Sequence, residues 1–224
     1  MHYQEASFCG LRCLVRYPDG FDPIRPSPAL LFLHGAGTRG TDMALLRGNP
    51  FFEEIEKLDV FPFVVVAPLC HENTWFEVWE RLMALAKHTA ALPWVDGQRL
   101  YLMGASMGGY GSWQLAMSLP ELFAAMVPIC GGGMFWNAGR LVNVPVWAFH
   151  GALDPVIPAE ESRRMVDAVN QAGGSARLTV YPQREHNAWS DTYSDPEVYR
   201  WLLQHRRENT AVKDTGYHGS RQYG

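Results

Sequence analysis

The stretch Arg99–Trp113, RLYLMGASMGGYGSW, decides how the rest of the chain is read. Its first half is a run of apolar residues of strand type, and its second half suits a helix. Between them Gly104, Ser106 and Gly108 fit G-x-S-x-G. A serine on so sharp a strand-to-helix turn sits in a strained backbone conformation, and its neighbours two residues away must be small to avoid collision. The pentapeptide alone is a modest signal. Its place between a strand and a helix is what gives it weight.

Outward from this turn, short β-rich runs at 11–17, 29–34, 61–67, 100–105, 125–130, 144–150 and 177–181 alternate with helix-like segments at 49–58, 76–91, 107–119, 159–171 and 196–205. PALLFLHG and FPFVVVAP are almost continuously apolar, as expected of strands covered on both faces. Pro120 and the pair Gly173-Gly174 supply helix stops. The pattern predicts an α/β fold: a mostly parallel central sheet with helices on both faces. The chain of 224 residues is long enough for one domain with a full core, assigned to 1–207, and the polar stretch 208–224 reads as a mobile tail or an arm for a partner subunit.

The composition narrows the function classes. Lys plus Arg number 19 against 23 Asp plus Glu, a net −4 with no basic run, which argues against nucleic acid or an anionic membrane as partner and for a small molecule. The N-terminal MHYQEASFCGLRC has neither the charged nor the apolar region of a secretory signal, so a cytoplasmic location is expected. No apolar run reaches membrane-spanning length. The four cysteines are scattered without ligand spacing and are read as reduced thiols; no metal or other cofactor is expected. Oligomeric state is not encoded legibly, and a homodimer stays open.

A serine needs a histidine to take its proton and an acid to orient that histidine. Downstream, VPVWAFHG runs into Asp154, and ARLTVYP runs into His186, each in a loop after a strand and in the order Ser, Asp, His. Asp191 and Asp195 follow His186 and fall out of order; His205 lies in a helix and His218 in the tail. A developing oxyanion needs two backbone N–H donors. The amide of Met107 is one, and the loop His34-Gly35-Ala36-Gly37 offers Ala36 as the other, with His34 read as structural. Only 131–143 separate one strand from the next after the elbow helix, too little for a lid, so an open cleft is expected. Trp75, Trp136, Leu153 and Trp189 are assigned to its walls, with Met134 and Phe135 beside them; Trp113 and Trp147 are assigned to packing.

With LFLHGAG, VVVAPLC, the tryptophan of ENTW, RLYLMGASMGGYGSW, FAAMVPICGGG, VPVWAFHGALDPVIP and LTVYPQREHNAW, the chain resembles small α/β-hydrolases of the carboxylesterase and dienelactone-hydrolase-like group over 31–203. It is most similar to the esterases labelled predicted peptidases or phospholipase/carboxylesterase proteins. The resemblance implies an α/β-hydrolase fold without a lid domain, with nucleophile Ser106, acid Asp154, base His186 and oxyanion donors Ala36 and Met107. Ala105 and Leu69 depart from the group's usual residues. The reading is a serine esterase acting on short acyl or compact aryl esters through an acyl-enzyme. Peptides or amides, thioesters, lysophospholipids, and a non-catalytic ligand-binding relative are the alternatives.

Overall fold

The computed structural model describes residues 2–207; the stretch read as a tail lies outside the described residues. One eight-stranded sheet organises them: β1 (His2–Phe8), β2 (Leu11–Tyr17), β3 (Ser27–Leu33), β4 (Val64–Pro68), β5 (Val95–Ala105), β6 (Ala125–Ile129), β7 (Val146–Gly151) and β8 (Ala176–Tyr181), in the spatial order β1-β2-β4-β3-β5-β6-β7-β8. β2 pairs antiparallel with β1 and β4, and the pairs from β4 through β8 are parallel. The hairpin between β1 and β2 turns on Cys9 (φ 52°) and Gly10 (φ 77°), with Phe8 opposite Leu11. Left-handed φ at both central residues is the two-residue turn whose twist matches paired strands.

The parallel strands alternate between two cores. In β3, Leu31 and Leu33 enter one core while Leu30 and Phe32 enter the other; in β5, Leu100 and Leu102 oppose Tyr101 and Met103. Both sets are fully buried, so these strands carry no polar alternation. The first core is closed by α3 (Trp79–Ala90), α4 (Met107–Ser118) and α5 (Glu160–Gln171). The second is closed by α1 (Met43–Arg47), α2 (Pro50–Ile55), α6 (Trp189–Ser194) and α7 (Pro196–Leu203), where Phe32 stacks on Phe51 at 4.0 Å.

Local chemistry sets the helix ends. Asn49 and Asp195 each stand before a proline at the first helical position, and their side chains accept from Phe51 N and Glu197 N. The connection from β6 to β7 contains the 3-10 helix Phe135–Leu141. No helix among the described residues is long and apolar enough to cross a membrane.

Candidate active site

At the end of β5 the chain reverses into α4 through Ser106, whose φ of 56° and ψ of −116° lie outside the usual regions for a residue with a side chain. Its neighbours leave no alternative to glycine. A Cβ on Gly108 would lie 1.9 Å from the Leu33 carbonyl oxygen, and one on Gly104 would lie 2.3 Å from that of Gly108. The first turn of α4 is thus pressed between the ends of β3 and β6, and Ser106 N donates to Ile129 O at 2.9 Å.

The three residues read from the sequence come together. Ser106 Oγ lies 2.9 Å from His186 Nε2, and His186 Nδ1 lies 2.7 Å from Asp154 Oδ2. A carboxylate only accepts, so Nδ1 carries the proton and Nε2 is free to accept from the serine hydroxyl. The Asp154 side chain is fully buried, and its other oxygen accepts from Val156 N and Ile157 N, both at 2.9 Å. Burial alone would raise this carboxyl, but the Ile157 amide, His186 and the Val156 amide together hold it below its usual 3.8. The loops that carry Asp154 and His186 are joined by Leu153 N donating to Arg184 O at 3.0 Å, and Gly151 is so close beneath that a Cβ would meet Glu185 O at 2.1 Å.

The loop after β3 runs against the elbow, with the Cβ direction of Gly35 only 3.5 Å from Ser106 Cβ. Among the described residues the amides of Ala36, on this loop, and Met107, the residue after the serine, have no acceptor. His34 is structural, as expected. Its Nδ1–H donates to Gly35 O at 2.7 Å, and its Nε2 accepts from Cys70 N at 3.0 Å. Burial pushes its pKa down to about 4, so the ring is neutral. Three contacts that the sequence did not announce hold the same loop: Arg39 donates to Ala36 O and Asn73 O, and Asn49 donates to Thr38 Oγ1.

Beside the elbow opens a cavity of about 510 Å³, walled by Phe76, Trp79, Tyr110, Gln114, Gly132, Gly133 and Met134. Of the four side chains expected at the cleft, burial removes Trp75. Trp75 is fully buried and donates its indole N–H to His34 O at 3.0 Å, so it braces the loop after β3 from within the core. Trp136, 73% exposed, lies outside the cavity on the 3-10 helix, edge-on to Phe135. Leu153, also exposed, stands beside the acid outside the cavity wall. Trp189 sits edge-to-face with His186, ring centres 5.1 Å apart, so it packs on that imidazole. Phe76 and Trp79 follow Trp75 by one and four residues, so the aromatic signal in the sequence lies within one turn of the wall it forms.

Cys130, His150 and Asp154 place one potential ligand atom each within 4.8 Å of one another, a grouping that spacing along the chain conceals. Those atoms are already engaged: His150 contacts Ser162 and Ile157, Asp154 binds His186, and burial pushes the Cys130 thiol up to about 12. The cluster fits a hydrogen-bond network better than a cation.

The model for the family described as "Dienelactone hydrolase family" matches residues 65–209, which include Ser106, Asp154 and His186. Among solved structures, a thermostable esterase superposes with a TM-score of 0.79 at 34% identity, covering 92% of this chain and 63% of that one. Dipeptidyl-peptidase 5 of Porphyromonas gingivalis is 23% identical over 77% of this chain and 32% of its own length. The bifunctional acetylxylan esterase/xylanase of Neocallimastix patriciarum is 27% identical over 71% of this chain and 25% of its own. The chain therefore spans about a third or less of these two relatives. An eight-stranded α/β-hydrolase sheet with a serine at its elbow, matched by this model over most of its length, makes the chain a member of the dienelactone hydrolase family.

Proposed function

We propose that the protein cleaves carboxylic esters through an acyl-enzyme, with Ser106 as nucleophile, His186 as base, Asp154 as its orienting acid, and the Ala36 and Met107 amides as oxyanion donors. The observation that carries this reading is the unbroken contact from Ser106 Oγ to His186 to Asp154 beside two unengaged amides. Ser106 Oγ attacks the ester carbonyl as its proton passes to His186 Nε2, and the oxyanion that forms accepts from the two amides. Collapse expels the alcohol, which takes the proton from His186. Water then repeats the sequence on the acyl-enzyme, releasing the acid and restoring the serine.

The cavity supports short acyl or compact aryl esters. Its walls are three aromatic rings and a methionine, with the Gln114 amide and the Tyr110 hydroxyl as polar points. Each buried methylene contributes roughly 0.8 kcal/mol, so gains end where a chain passes the rim. We expect kcat/KM over acyl chains of about two to sixteen carbons to peak early, with no jump at the micelle threshold. Phe76→Ala or Trp79→Ala should alter that profile more than Tm. A maximum at long chains with interfacial activation would refute the substrate assignment. A peptide amide on the same residues is the second reading, favoured by the similarity to a dipeptidyl-peptidase. Matched ester, amide and thioester substrates decide between them. The reading takes a small-molecule ester as substrate and places the protein in the cytoplasm, without a cofactor and with a homodimer left open.

A further inference from the structure

Behind the acid lies a second histidine that the steps above do not use. His150, at the end of β7, and Ser162, in the first turn of α5, are both fully buried. His150 Nε2 lies 2.9 Å from Ile157 O and 3.3 Å from Asp154 Oδ2. A carbonyl only accepts, so Nε2 carries a proton, and that proton also reaches Asp154 Oδ2, the oxygen that His186 Nδ1 contacts. The Ile157 peptide thus acts twice: its N–H holds Asp154 Oδ1 and its C=O holds His150. On the other side of the ring, Nδ1 lies 2.7 Å from Ser162 Oγ, which lies 2.7 Å from Gly131 O. Gly131 is the residue before the cavity wall Gly132–Met134 and packs on Gly109 in the elbow helix, where a Cβ would approach within 2.7 Å.

The geometry points to His150 as a positioning residue that fixes the Asp154 carboxylate toward His186 and, through Nδ1 accepting from the Ser162 hydroxyl, ties the acid to the first turn of α5. It touches neither substrate nor reacting atoms. Its effect is to share the negative charge of Asp154, which sets how strongly that charge favours a protonated base. Burial holds His150 below the ordinary 6.5, so at neutral pH it acts as a neutral N–H donor. The titratable groups facing the pair are Asp154 on the same loop, Cys130 from the end of β6, His186 from the base loop, and Tyr110 on α4; Glu161 adjoins Ser162 on α5. The Cys130 thiol and Tyr110 hydroxyl are raised by burial and stay protonated through an assay range of neutral pH.

The inference rests on the proposed triad, and the test keeps the two apart. His150→Phe preserves a flat ring without the donor, His150→Gln restores an N–H, and Ser162→Ala removes only the outer partner. With a p-nitrophenyl ester, His150→Phe should lower kcat at least ~10-fold with KM within about twofold. The acid limb of its pH–rate profile should move to higher pH, because the carboxylate no longer shares its charge. His150→Gln should return both toward wild type, and Ser162→Ala should shift both weakly in the same direction. Wild-type kcat and acid limb in folded His150→Phe, with only Tm lowered, would overturn the proposal, as would a Gln variant no better than Phe. If His150→Phe does not fold, Ser162→Ala decides, an unmoved limb and kcat counting against. Labelling by a fluorophosphonate probe separates the readings: failure to label Ser106 in wild type defeats the triad, whereas labelling with an indifferent His150 defeats only this inference.

Discussion

The proposed nucleophile and the proposed acid–base pair are held by different physics. Around Ser106 the constraint is backbone against backbone: Gly104, Gly108, Gly109 and Gly131 lie where a Cβ would fall within 3 Å of main-chain atoms, and the strands beneath are fully buried. Around His186 the constraint is side-chain hydrogen bonding. β8 is an edge strand of intermediate burial, much of the loop 182–187 is exposed, and the imidazole is fixed by Asp154, Ser106 and the Trp189 edge. A nucleophile held in a high-energy φ needs an environment that cannot relax. A base that must accept and release a proton is held by contacts that survive the change of charge.

The largest expected effect breaks the first region. Gly108→Ala drives a methyl group to 1.9 Å from the Leu33 carbonyl, in the strand at the centre of the sheet. A clash between two backbones cannot relax by a side-chain rotation, so we expect destabilisation beyond about 4 kcal/mol and loss of soluble folded protein. Circular dichroism and a thermal melt check it; a Gly108→Ala protein that melts like wild type would show that the elbow is not clamped by sterics. In the second region the outcome reverses. Asp154→Ala should cost kcat roughly 10²- to 10⁴-fold while the protein still folds, because what is lost is orientation of the base. Matching kinetics and melts on one preparation give the comparison, and near-wild-type kcat would remove Asp154 from the acid's role.

A pH series separates the regions by stability. Folding lowers the His34 pKa from 6.5 to about 4, so between those values the unfolded chain binds a proton that the folded one does not. The contribution of neutral His34 is complete above pH 6.5 and is lost as pH falls toward 4, roughly 3 kcal/mol over the window. His150 is shifted in the same direction and adds to the trend. Asp154, held below its usual 3.8, contributes stability that is lost only as pH falls through its lowered folded value. Unfolding free energies from pH 7 to 4 test this, and an imidazole signal of His34 titrating near 6.5 in the folded protein would contradict it. The smallest effect is expected for Trp189→Ala. An edge-to-face aromatic contact is worth about 0.5–1.5 kcal/mol beyond its area, so kcat/KM should fall a few-fold. A loss as large as that of Asp154→Ala would mean that packing, rather than hydrogen bonding, holds the base.

Which parts were legible follows the same division. Central strands such as β3 and β4 carry unbroken apolar runs because both faces are buried, and the elbow announces itself because sterics demand glycines at fixed spacing. β1 went unread: HYQEASF mixes polar and apolar residues on a strand of which only part is shielded. α1 and α6 are too short to show a period, and tertiary packing forms them through Met43, Leu46 and Tyr193. Loop position alone points Trp75 to the cleft, since the sequence does not reveal that its indole N–H finds the His34 carbonyl. The Phe76, Trp79 and Tyr110 wall, and the His150 contact four residues before the acid, depend on which way side chains turn at a loop, and no periodicity records that.

The most direct test of the account is the fate of Ser106. Initial rates of p-nitrophenyl ester hydrolysis should fall at least ~10³-fold in Ser106→Ala with an unchanged melt, and mass spectrometry after fluorophosphonate treatment of the wild type should place a single adduct on the peptide containing Ser106. A Ser106→Ala protein that keeps more than about a tenth of wild-type activity, or an adduct on another residue, would contradict it.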